Sequence, residues 1–227
     1  MAAPTPVSAL VHSSTLVTAG VFLLIRLYPL YAPNNTTHLT LLATGSITAL
    51  LASGAAFTEF DFKKIVAYST LSQLGVMTVR LGLGMPSLAF FHLLTHAMFK
   101  ALLFVCAGVL IHNHTHAQDL RTIGNLRKRN PIAQTGLTLA NLALCGLPFL
   151  RGFYSKDIIL EYGTILETGF ITLLLLMTST ALTTSYSLRT TTLRQLTPHI
   201  QPPLLRNQTR PTHYTTPITA LRTISII

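Results

Sequence analysis

Apolar positions along the chain gather into six long runs, each bounded by a short polar or charged cluster. They cover about residues 6–27, 39–57, 65–83, 85–111, 131 onward and 170–188. Most are close to the roughly 17–25 residues that a helix needs to cross a bilayer. The pattern predicts an all-α, polytopic transmembrane helix bundle of about six spans. Residues 1–196 form the membrane-embedded part, and residues 197–227 a basic, weakly structured tail. Thr5 and Pro6 suit the start of the first helix. The fifth run is interrupted by Gly146, Pro148 and Gly152. Proline removes a backbone donor and clashes with a preceding carbonyl, so this helix should break near Pro148. A broken helix at membrane depth is tolerated only where protein or water satisfies the freed backbone groups.

The polar residues inside these runs are more informative than the runs themselves. His92, His96 and Lys100 follow one another at i, i+4 and i+8, which lays three ionisable groups along one helical face. Ionisable side chains within a span are expensive unless they face the bundle interior or water, so this stripe is a candidate proton path. His12 lies in the first run beside Ser13, Ser14 and Thr15, a further candidate station. Ser69, Thr70, Ser72 and Gln73 make the first half of the third run polar, and Arg80 near its far end is expected to snorkel to the interface. Lys156 and Asp157 follow the break directly, with Glu161 one turn on. Half-helix ends supply partial charges for ion sites. A hydrated pocket is expected around Lys156, joined to the Lys100 stripe through polar residues such as Asn141. Gly45, Ala49 and Ser53 form a small-residue seam in the second run, which is expected only to pack.

Composition excludes several function classes. Charged residues make up 10% and mean hydropathy is +0.51, against about 25% charged in soluble domains. The net charge of +10 would fit nucleic acid, but the basic residues lie mostly in loops and the tail, without interleaved aromatics. Lys63, Lys64, Arg121, Arg127, Lys128, Arg129 and the tail arginines instead follow the positive-inside rule, which predicts one compartment for these loops and both termini. No nucleic-acid partner is expected. Cys106 and Cys145 are too few for an iron–sulfur cluster, which takes about four ligands. His112, His114 and His116 alternate in a loop without an evident further ligand, so no metal site is expected.

Four stretches, in order, carry a family resemblance: residues 4–15 (PTPVSALVHSST), 61–70 (DFKKIVAYST), 95–101 (THAMFKA) and 152–157 (GFYSKD). Together they resemble the chain 5 family of mitochondrial NADH–ubiquinone oxidoreductase, respiratory complex I, over about residues 1–196. The resemblance implies an antiporter-like, proton-translocating subunit, multi-pass in the mitochondrial inner membrane, of which this chain is a fragment covering roughly spans eight to thirteen. It makes His12, His92, His96 and Lys100 the proton axis, and Lys156 the lysine of the outlet half-channel with Asp157 beside it. It implies an enzyme only in the sense of membership, with no redox centre and no cofactor in this chain. NAD, FMN, iron–sulfur clusters and ubiquinone would belong to partner subunits, and the partners would be the other membrane subunits and the bilayer. The alternative is a subunit of a stand-alone multisubunit cation/proton antiporter, which shares these motifs. Arg80 and Arg151 depart from the family pattern.

Overall fold

The computed structural model describes residues 15–113, 118–121, 131–165, 170–196, 218–220 and 222–223. His12, His114, His116 and most of the tail lie outside the described residues. The helices are α1 (Leu16–Arg26), α2 (Tyr28–Tyr31), α3 (Asn35–Thr58), α4 (Phe62–Gly82), α5 (Pro86–Asn113), α6 (Pro131–Cys145), α7 (Arg151–Ile165) and α8 (Phe170–Leu196). The chain is an all-α transmembrane bundle. Helices α3, α5 and α8 are each long and apolar enough to span a bilayer alone. At 1.5 Å per residue their 24 to 28 residues reach about 36–42 Å. Helix α4 is also long, but it carries Lys63, Lys64 and Arg80. Helices α6 and α7, 15 residues each, are the two halves of the fifth predicted span.

Helix α4 is the hub, packed mainly between α3 and α5 and also touching α1 and α8. Lipid tails are as apolar as leucine, so close backbone approach must supply the packing energy. Gly45 and Gly75 provide it reciprocally. A Cβ at Gly45 would come within 2.8 Å of the Gly75 carbonyl, and one at Gly75 within 2.7 Å of the Gly45 carbonyl. Ala49 and Ser53 continue this buried seam, so the small-residue repeat packs α3 onto α4 as its spacing predicts. Large apolar side chains such as Leu39, Leu51, Leu71, Leu94 and Leu174 cover the outside.

The two ends of the bundle are closed differently. At one end His38, in the first turns of α3, sets its two ring nitrogens 3.1 Å from the Gly82 carbonyl and 3.2 Å from that of Ala32. At the other, Phe62 N donates to Gln118 O (2.9 Å) and Leu120 N to Phe60 O (3.1 Å), a short antiparallel bridge. Two guanidinium groups stand over the Phe60 ring, that of Arg121 at 3.5 Å and that of Arg189 at 5.2 Å. The loop after α3, residues 118–121 beyond α5 and Arg189 of α8 thus meet at one end.

Candidate functional site

Helix α5 presents His92, His96 and Lys100 to the interior, all three with no exposed surface. The face is dictated by spacing, and what it meets is the polar half of α4. Lys100 Nζ donates to Ser69 Oγ and, at 3.4 Å, to the Val66 carbonyl. His92 faces Gln73 Oε1 at 3.2 Å with Nε2 and Ser155 Oγ of α7 at 2.9 Å with Nδ1. With the proton on Nε2, the neutral imidazole donates to Gln73, while Nδ1 competes for the single Ser155 hydroxyl proton with the Gly152 carbonyl, 3.2 Å from that oxygen. His96 stands between them, its ring 6.1 Å from that of His92 and edge-on to Phe99 at 5.2 Å. Both His96 nitrogens are buried without a hydrogen-bond partner among the described residues. A buried polar atom without a partner is costly.

The break before Lys156 is built by sequence, one residue at a time. Gly146 takes a φ of +82° and closes α6: its N–H reaches Ala143 O at 3.2 Å, and Leu147 N reaches Leu142 O at 3.3 Å. This is the paired cap that a left-handed glycine makes at a helix end. Phe149, at φ 69° and largely exposed, turns the chain again. The next carbonyl, that of Leu144, would bond the N–H four residues on, but that residue is Pro148, which has none. Lys156 Nζ takes it instead, at 2.5 Å, and also reaches Thr183 Oγ1 of α8 at 3.3 Å. The start of α7 comes so close to the end of α6 that a methyl at Gly152 would collide with the Ala143 carbonyl. Lys156 is therefore buried, at 7% exposure, on the negative end of the α6 dipole.

Two cavities flank this lysine. One, about 10 Å³, is lined by Ser72, Gln73, Lys156, Ser179, Thr180 and Thr183 among others, room for about one water. The other, about 290 Å³, is lined by Cys145, Gly146, Phe153, Lys156, Asp157 and Thr184 among others. Asp157 thus opens onto the pocket, but no ion pair joins it to Lys156 among the described residues. Glu161 is exposed. No aspartate or glutamate is buried among the described residues.

Two expectations are corrected. Arg80 does not snorkel: it is 2% exposed, donating to Leu88 O at 2.7 Å and to Ser155 O. Helices α5 and α7 cover it, so the stem has no route to the surface. Asn141 does not bridge the two lysines either, because its amide donates to Thr190 of α8 at 3.1 Å, as Cys145 meets Ser187 at 2.7 Å. Sequence reasoning missed the buried hydroxyl face of α8, formed by Ser179, Thr183, Tyr186, Ser187 and Thr190. Its recurrence every three or four residues was the available signal.

The family model described as NADH:quinone oxidoreductase/Mrp antiporter, TM matches residues 1–183. The chain is 51% identical over 227 residues to NADH-ubiquinone oxidoreductase chain 5 of Lumbricus terrestris, covering all of this chain and 39% of that one. It is 57% identical over 189 residues to the Aedes aegypti protein of the same name, covering 83% and 32%. This chain thus spans about a third of the length of these relatives. Among solved structures, a chain of the Mrp complex from Dietzia sp. DQ12-45-1b superposes with a TM-score of 0.80 at 29% identity, covering 99% of this chain and 25% of that one. A chain of an archaeal membrane-bound sulfane sulfur reductase shares the fold, with a TM-score of 0.83 at 21% identity, over 99% of this chain and 46% of that one. With its model running through most of the sequence, this chain belongs to the NADH:quinone oxidoreductase/Mrp antiporter transmembrane family.

Proposed function

We propose that this segment is the central and outlet part of a proton-translocating membrane subunit of respiratory complex I, in the mitochondrial inner membrane. The observation that carries the reading is the enclosed row from His92 through His96 and Lys100 to Lys156, in which each lysine and His92 meets a hydroxyl, amide or carbonyl of a neighbouring helix. His92, His96, Lys100 and Lys156 accept and pass protons; Asp157 stands at the pocket beside Lys156 and attracts the departing proton. The family motif adds His12 to these residues as a further proton station. Electron transfer belongs to partner subunits that hold NAD, FMN, iron–sulfur clusters and ubiquinone; this chain contributes no redox centre. Its partners are the other membrane subunits of the complex.

The test is Lys100→Ala in the complete chain within the assembled complex, reading protons moved per NADH oxidised. The ratio should fall, because a methyl removes the station. Lys100→Arg should not restore it fully, since a guanidinium hardly releases its proton. Full pumping by Lys100→Ala would refute the reading. The similarity to a chain of an Mrp complex favours a second reading, a cation/proton antiporter subunit, and proton movement independent of NADH oxidation would select it.

A further inference from the structure

No hydrogen bond joins Lys100 to Lys156 among the described residues, and Tyr186 is a large buried polar side chain with no role assigned so far. It lies on α8, 2% exposed, within the core cluster that includes Val66 and Phe99. Its hydroxyl faces those of Ser72 and Ser69 and closes no hydrogen bond among the described residues. Ser69 is the hydroxyl that Lys100 donates to. Ser72 lines the small cavity that Lys156 also lines.

We propose that the Tyr186 hydroxyl is the relay that joins the Lys100 station to the Lys156 station, through Ser69 on one side and Ser72 and the small cavity on the other. This rests on the reading of the row as a proton path and adds a residue to it. Each hydroxyl has one proton and two acceptor sites. In the resting arrangement Ser69 donates to Val66 O at 2.7 Å and Ser72 to Ser69 O at 3.0 Å. Both must swing towards their neighbours for a transfer. The N–H bond of Lys100 then breaks as an O–H forms on Ser69; the Ser69 proton passes to Tyr186, that of Tyr186 to Ser72, and that of Ser72 to water in the cavity, which protonates Lys156. One proton moves, Lys100 ends neutral and Lys156 positive, and each hydroxyl ends with one proton. The sequence runs equally in reverse. A second polar branch reaches the same cavity from His92 through Gln73, so the hydroxyl branch needs a direct test.

Tyr186→Phe keeps the ring and removes only the oxygen. In the complete chain within the assembled complex, it should lower protons moved per NADH oxidised to the level of Lys100→Ala and raise the solvent deuterium isotope effect on proton release. A loss of packing alone would leave the isotope effect unmoved. Normal stoichiometry in Tyr186→Phe beside impaired Lys100→Ala overturns the relay and leaves the wider reading standing, with Gln73 as the connection. Normal stoichiometry in both variants overturns the wider reading as well. If Tyr186→Phe fails to assemble, Ser72→Ala interrupts the same path: reduced pumping supports the relay, and undiminished pumping overturns it.

Discussion

The carbonyl that Lys156 binds is the one that Pro148 cannot serve, and this makes the break adjustable. Pro148→Ala gives position 148 an N–H and removes a bias against helix of about 3 kcal/mol. Opposing closure is the ammonium–carbonyl bond of Lys156 to Leu144 O at 2.5 Å, of the charged class worth about 1.5–3 kcal/mol. The two are comparable, and Gly146 still holds its left-handed φ of +82°. The single variant should therefore keep the break and most of the pumping. Gly146→Ala adds about 1–2 kcal/mol against the left-handed cap. Together the changes favour a continuous helix by about 4–5 kcal/mol, which exceeds the lysine's bond. The double variant should extend α6, take Leu144 O from Lys156 and lower proton pumping severalfold. Amide hydrogen exchange across residues 146–150 reports the closure, and protons moved per NADH oxidised reports the consequence. A double variant that gains amide protection yet pumps normally would refute the role given to this carbonyl.

Three other outcomes follow from the packing. Arg80→Met should leave the thermal midpoint of the assembled complex unchanged or raised, because the Leu88 and Ser155 carbonyls it serves are within helices and an unpaired buried charge costs several kcal/mol; a fall of several degrees, measured by differential scanning, would contradict this. Gly75→Val should destabilise by about 1–3 kcal/mol through overpacking, since even a Cβ there meets Gly45 O at 2.7 Å; unaltered assembly and stability would mean that α3 and α4 part readily. Single cysteines at Lys64 and Arg121, in a background lacking Cys106 and Cys145, should label from the matrix side, and labelling from the intermembrane space would reverse the topology.

Spacing alone made the α5 stripe legible, because a fourfold repeat places His92, His96 and Lys100 on one face whatever surrounds it. Pro148 and two glycines made the break legible for the same local reason. The partners were not legible. Ser69 and Gln73 stood out as polar residues, but their pairing with Lys100 and His92 depends on the register between α4 and α5. Arg80 was misread because its distance from the helix end says nothing about α7, which lies over it. Tyr186 passed unnoticed among the serines and threonines of α8, where hydroxyls bonded to the preceding turn are the common case.

The short bridge between residues 60–62 and 118–120 has a mechanical consequence. Two backbone hydrogen bonds join the start of α4 to the segment beyond α5, while the α3–α4 pair is locked by interpenetrating glycines. Any sliding of the start of α4 against residues 118–120 would have to break these two bonds and carry Phe60 away from the Arg121 and Arg189 guanidinium groups. The start of α4 is therefore pinned to the chain beyond α5, and in the proposed proton path the moving parts are rotating side chains and α7, which follows the open turn at residues 146–150.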